Sequence, residues 1–434
     1  MKAGKRCALS RVSASARCWA AAGSLTMVGA ATMAQTQVVK PPVAQGWIDV
    51  ATFGGFGMPG GMGPGAAMGG GASPMSVIGG LFGGGGGADS GNRFGQTQTS
   101  GAGRWVDVTL YTRNNAQLAE AQQSVPAGFL SPALKLLAPK ETRGTPPEPG
   151  DEQVPEVERP NAKISLYWGC GESVRAGQPR VLDLANLSAD SARLFQARRA
   201  TQRGTHAAAG RPVWPSPADG RMVPAQASLV GEHGFSGAGV PEGFRFQWPA
   251  LQDLMPPVAL KQREAGGATV LEWQALPTAR AYFISALASR GNNEMVLWTS
   301  SEQPDLGFGL LDYQTNSAVD RWLTEKVLLA PQTTRCAVPK GALPTEGAML
   351  RMIAYGSELN LAQPPRPTDP RVAWEPVWAV KIRVKSMTSA VLGMEMPEMG
   401  ERSSTSDTPA AAGPEKEKEK KPGVTDLIRG ILGR

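Results

Sequence analysis

Histidine is nearly missing from this chain, with only His206 and His233 in 434 residues. They lie far apart, with no paired cysteine and no His-x-His spacing, so a zinc site would need carboxylates that no spacing points to. Single hydrogen-bonded histidines are the simpler expectation, and no metal ligand is assigned. Cysteine is scarce too: there are four, and Cys7 and Cys18 fall within the first 34 residues. Glycine is abundant, yet no GxxxxGK[ST] loop occurs, so a phosphate cradle has no local signature. There is also no GxSxG turn, the local mark of a hydrolase serine. Beyond the N-terminus no apolar run approaches the roughly 18 residues that a membrane-spanning helix needs.

The N-terminus carries a targeting pattern. Lys2, Lys5, Arg6, Arg11 and Arg17 form a basic start without acids, and "CWAAAGSLTMVGAATMA" follows. Thr32 and Ala34 stand at the small-residue positions of a cleavage site, so residues 1–34 read as a signal peptide and the mature chain is expected to start at Gln35. Arg6 and Arg17 directly precede the two leader cysteines, which is no lipobox. The leader accounts for five of the formal charge of +7, leaving +2. A concentrated basic face for nucleic acid is therefore not expected. Periplasmic or secreted localisation follows, and in an oxidising compartment Cys170 and Cys336 are expected to form one disulfide.

The chain is expected to be mainly β, with two β-sandwich-like domains. The first spans 35–250. Its segments "GWIDVATF" (46–53) and "RWVDVTLY" (104–111) alternate alike and are expected to pair as strands. Between them, 54–103 is a Gly- and Met-rich excursion expected to be disordered. The polar stretch from 112 to 160 reads as loop, Pro- and Glu-rich over 138–160. Strands are expected at 163–169, 179–185, 227–233 and 244–248, with one short helix over 188–200.

The second domain, 251–390, begins with "GATVLEWQALPTARAYFISALA" (267–288), then "NEMVLWTSS" (293–301), and ends with "MLRMIAYG" (349–356) and "WAVKIRVKS" (378–386). Over 255–388 it resembles a fibronectin type III or Ig-like sandwich. The resemblance implies that Trp273 and Tyr282 pack together in the core. It departs from that family in an insertion, 304–348, whose "SAVDRWLTEKVLLA" (317–330) reads as a helix with a Ser317/Asp320 capping box. The tyrosine that usually turns the corner before the late strand is also missing. The chain as a whole resembles a group of uncharacterised exported proteobacterial proteins, a resemblance that implies export and brings no activity with it.

Residues 391–423 read as a disordered linker, and 424–434 as a short amphipathic helix. There Val424, Leu427, Ile428, Ile431 and Leu432 form one apolar stripe. So short a helix is marginal alone and should dock: on its own domains, in a partner's groove, or on a membrane surface.

Chemistry has few candidates. Cys170 in "LYWGCGESVRAGQP" would need a base to become a nucleophile, and the disulfide is the preferred expectation. Glu232 beside His233 is where a polysaccharide hydrolase would be sought. Trp214, Trp374 and Trp378, in Pro-rich surroundings, suit glycan or protein binding if exposed, and are core residues otherwise. The expected role is non-enzymatic: an exported cell-envelope protein with a structural or protein-interaction function. It docks through the C-terminal helix and needs no catalytic residue or cofactor. The alternatives are a periplasmic hydrolase of cell-wall or extracellular polysaccharide, or a carbohydrate-binding module.

Overall fold

A computed structural model describes residues 37–55, 92–98, 101–140, 162–186, 193–194, 198 and 204–393, apart from 292 and 345–346. The expected leader, most of the Gly-rich excursion, all but three residues of the 188–200 helix, the linker beyond residue 393 and the expected C-terminal docking helix lie outside the described residues. Val391, expected to start the linker, instead ends the last strand, and Leu392 after it is buried.

Among the described residues the protein is mainly β, with 17 strands and one α-helix. The N-terminal half contributes β1 (Ala44–Gly55), β2 (Gly103–Thr112), β3 (Glu120–Ser124), β4 (Ala133–Leu137), β5 (Lys163–Trp168), β6 (Arg180–Asp183), β7 (Val213–Trp214), β8 (Gly231–Gly237) and β9 (Arg245–Trp248). After these come β10 (Lys261–Ala265), β11 (Ala268–Glu272), β12 (Ala281–Arg290) and β13 (Glu294–Thr299). The chain then forms α1 (Asn316–Thr324), β14 (Arg335–Val338), β15 (Met349–Tyr355), β16 (Leu359–Gln363) and β17 (Trp378–Val391).

Strands β10, β11 and β14 form a three-stranded sheet. The other 14 share one sheet in the order β6-β5-β13-β12-β15-β17-β1-β2-β7-β4-β3-β8-β9, with β16 beside β17. Hydrogen bonding therefore crosses the boundary expected near residue 250. Strand β1 runs parallel to β17 along its whole length, and β5 runs parallel to β13. Alternation in a sequence marks a strand but carries no information about its partner. Distant segments pair because both bury the same kind of face.

That face is clear at the centre. Ile48, Val50, Val106, Val108, Val380 and Ile382 are all buried, on alternate positions of three adjacent strands. They belong to the main hydrophobic core. The similar segments 46–53 and 104–111 do pair, antiparallel, as β1 and β2. The polar stretch read as loop contains β3 and β4, whose buried Ala121, Gln123, Leu134 and Leu136 alternate with exposed residues. Gln-rich β3 does not read as a strand because its inward Gln123 places an amide, bonded to a buried histidine, where alternation leads one to expect an apolar side chain. The strand expected over 227–233 starts later, at Gly231.

The helix also differs from expectation. Its cap is Thr315, whose hydroxyl accepts from Ala318 N at 3.3 Å, and it ends at Thr324. Lys326 then adopts φ 59° and the chain extends, so that Leu329 and Tyr282 exchange backbone hydrogen bonds of 2.8 and 3.0 Å. Asp320, expected to close the capping box, instead pairs with Arg280. Among the described residues no helix is long and apolar enough to cross a membrane.

Cys170 and Cys336 form a disulfide. Gly171 N donates to Ala337 O at 3.0 Å and Lys340 N to Glu172 O at 3.0 Å. The bridge thus ties the end of β5, in the large sheet, to β14 in the small one.

Candidate functional site

The second face of β1, β2 and β17 is polar, and the sequence shows why. The motif Trp-x-Asp-Val occurs at 47–50 and again at 105–108. With a period of two, Trp and Asp point away from the core that Val50 and Val108 enter. Strand β17 adds Lys381, Arg383 and Lys385 on the same face, against Trp47, Asp49 and Ala51 of β1. A row of charge, Arg383–Asp49–Asp107, therefore crosses three adjacent strands.

The Arg383 guanidinium clasps Asp49 with two bonds of 2.6 Å, Nε to Oδ1 and the terminal nitrogen to Oδ2. Both side chains are buried, at 5% and 1% exposure, so this pair is shielded from solvent screening. Burial alone would raise the Asp49 pKa. Arg383 and the Thr205 hydroxyl and amide outweigh it and hold Asp49 below the ordinary carboxylate value. Burial likewise opposes the Arg383 charge, and Asp49 more than restores it. The guanidinium carbon also lies 4.4 Å from the centre of the Tyr313 ring.

Asp107 has different partners. It accepts from Gly95 N at 2.9 Å, Thr97 N at 3.2 Å and the Thr97 hydroxyl at 2.5 Å. Burial, with a smaller contribution from the Asp49 charge, pushes its pKa up to about 7 against those hydrogen bonds. Two chain segments are thus anchored side by side. Residues 95–97 rest on Asp107 and residues 204–205 rest on Asp49. Gly204 passes so close to the clasp that a Cβ there would lie 1.7 Å from an Arg383 nitrogen.

Lys385 is the second buried cation of β17, 3% exposed. It stands 3.8 Å from Asp312 and 4.3 Å from the Tyr313 ring centre. Burial lowers its pKa, and Asp312 offsets that in part. Further inward the face closes over apolar residues, including Phe53, Phe283 and Trp322.

Outward, the same face opens. Rows Asn360–Lys381–Trp47 and Ala362–Ala379–Gln45 cross β16, β17 and β1. The two alanines leave a trough of about 330 Å³, and Trp47 and Trp374 are the large rings in its lining. Gln45, Asn360 and Lys381 supply its polar lining. Trp374 is fixed by its indole N–H, which donates to Pro364 O at 2.9 Å, and Arg366 lies 5.6 Å from its ring centre. Trp47 meets His206 edge-on at 5.1 Å, and Arg211 lies 5.8 Å from its ring centre. Burial lowers the Lys381 pKa, with Glu358 at 3.8 Å opposing the shift.

Other candidates fall elsewhere. Glu232 and His233 point to opposite faces of β8. Glu232 is on the surface, 3.1 Å from Arg245. His233 is fully buried, with Nε2 2.7 Å from Leu229 O and Nδ1 3.0 Å from the Gln123 amide nitrogen. Burial lowers its pKa, so it stays neutral against Phe246 and Trp248. The two do not converge on a common point. His206 Nδ1 lies 2.9 Å from Gly204 O. Among the described residues no group of three or more His, Cys, Asp or Glu could hold a metal. Cys170, being bridged, has no thiolate to offer. Trp273 and Tyr282 are both buried and meet at 5.6 Å in a T-shaped contact. Trp214 and Trp378 are buried in the core, and only Trp374 of the three Pro-flanked tryptophans reaches the trough. The residues expected to dock, Val424, Leu427, Ile428, Ile431 and Leu432, lie outside the described residues.

The face was missed in the sequence for a simple reason. Asp49, Asp107, Arg383 and Lys385 each sit in an ordinary alternating strand, where a charge normally points to water. The one available sign was the repeated Trp-x-Asp-Val. No family model matches this chain, and no curated protein or solved structure matches it either.

Proposed function

We propose that this protein is an exported component of the cell envelope with a non-enzymatic, interaction-based role, cleaved after Ala34 and docked through the helix 424–434. The observation that carries the reading is the division of labour on the polar face. Its inner charges are engaged with one another and with two anchored loops. Its open end presents aromatic rings beside polar side chains, a composition suited to recognition. The disulfide supports an oxidising compartment. The contact between Trp273 and Tyr282 supports fibronectin type III-like packing around β11 and β12.

Deleting 424–434 tests the docking role. Melting of the truncated protein should be unchanged, while cell fractionation should move it from the envelope fraction to the soluble periplasmic or secreted fraction. Unchanged fractionation together with unchanged cross-linked partners would overturn the reading.

A further inference from the structure

We propose that the trough between Trp47 and Trp374 is a binding site for an acidic saccharide. This rests on the recognition role proposed above and names its ligand class.

The volume of about 330 Å³ lies at the small end of the roughly 300–1,000 Å³ usual for ligand pockets, a fit for one or two sugar rings of a longer chain. The floor is unusual for a β-sheet face. Ala362 and Ala379 occupy neighbouring positions on paired strands, and Trp47 stands in the adjacent row. Small floor residues beside large rings produce a slot rather than a flat face. A pyranose ring carries an apolar C–H face and a rim of hydroxyls, which matches aromatic walls with polar groups between them.

The polar groups then select among ligands. Gln45 donates its amide to Gly46 O at 2.8 Å, and Asn360 donates to Glu358 Oε1 at 2.8 Å. Each keeps a carbonyl oxygen that accepts from no described residue. Such acceptors call for a ligand rich in donors, as sugar hydroxyls are. A proline-rich peptide, the other ligand that favours tryptophan slots, lacks N–H groups at its prolines and leaves these acceptors unmet. The cations decide the charge. Arg366 lies over Trp374 and uses Nε to hold the Gln37 carbonyl oxygen at 2.7 Å. No carboxylate pairs with it among the described residues, so its terminal nitrogens can receive one. Lys381 adds an ammonium to the trough lining, part of whose charge is met by Glu358 at 3.8 Å, so Arg366 is the cation that carries the preference.

The test uses the full mature, disulfide-bonded chain. Tryptophan fluorescence and titration calorimetry are run with hexamers of galacturonate, mannuronate and glucuronate, with methyl-esterified galacturonate and maltohexaose as neutral partners. A peptide of residues 145–160 serves as the proline-rich probe. At least one acidic hexamer should bind, and Trp374→Ala should weaken it tenfold or more. Trp374→Phe should restore part of the loss, and Arg366→Gln should reduce the preference for acidic over neutral hexamers. Trp47→Ala is read beside its melting curve. Trp374, half-buried at the rim, keeps the test decisive if Trp47→Ala unfolds. Failure of every acidic hexamer, binding unaffected by Trp374→Ala, or binding of the peptide alone would each overturn the site. Release on deletion of 424–434 is read separately. Absent saccharide binding with intact release therefore removes this inference and leaves the envelope role standing.

Discussion

Asp49 and Asp107 are register partners on adjacent antiparallel strands, and of these two carboxylates it is Asp49 that Arg383 hydrogen-bonds. They hold equivalent places in the two Trp-x-Asp-Val motifs, so the motifs run antiparallel about this pair of carboxylates. Asp49 meets a cation from the far end of the chain. Among the described residues, Asp107 meets only hydroxyl and amide donors from residues 95–97. This asymmetry gives the two acids opposite responses to pH.

The Asp49–Arg383 clasp is buried, so removing one partner should be costly. Arg383→Met leaves an unpaired buried carboxylate and should destabilise by about 3–5 kcal/mol. Asp49→Leu combined with Arg383→Met should recover much of that loss. Urea denaturation of the single and double variants measures the coupling, and additive losses would show that the pair is not coupled.

Asp107 should make stability fall as pH rises. Its folded-state pKa of about 7 lies above the ordinary 3.8, so the folded protein binds the proton more tightly. Its contribution is fully present below about pH 4 and is lost as pH climbs through 7, by up to about 4 kcal/mol. His233 works the other way, because its lowered pKa costs stability below its ordinary 6.5. Denaturation midpoints at pH 5.5 and 8 should therefore diverge between the native protein and Asp107→Asn, with the variant the less sensitive to the rise in pH. Identical pH profiles would refute the assignment.

Gly204→Ala should dislodge the segment anchored on Asp49. The added methyl would overlap the clasp, and overpacking of this kind costs about 1–3 kcal/mol. Faster proteolysis near 204–206 and a lower melting temperature are the expected readouts. Wild-type behaviour in both would mean that the segment does not rest on the clasp.

Replacing Cys170 and Cys336 together by serine opens a cross-link between residues 166 apart in sequence. The expected loss is about 2–5 kcal/mol, measured by denaturation under non-reducing conditions.

Glu232→Gln removes a surface ion pair and should change stability by less than about 1 kcal/mol. Loss of a polysaccharide-degrading activity in this variant, with the fold intact, would favour a hydrolase over the role proposed here.

The sequence by itself marked the β character, the pairing of 46–53 with 104–111, and Cys170 with Cys336 as the expected bridge. Alternation and composition are local properties, and Cys170 and Cys336 are the two cysteines outside the expected leader. It also marked Trp273 and Tyr282 as core. Only the tertiary structure decided that β1 lies between β2 and β17, and this one adjacency builds the polar face. Asp49 and Arg383 are 334 positions apart, and nothing in either strand's pattern names the other. The trough has the same origin. Gln45 and Trp47 come from one end of the chain and Asn360, Trp374 and Lys381 from the other. A parallel pairing sets them side by side because backbone hydrogen bonds are blind to sequence distance, and burial of apolar faces chooses the partner.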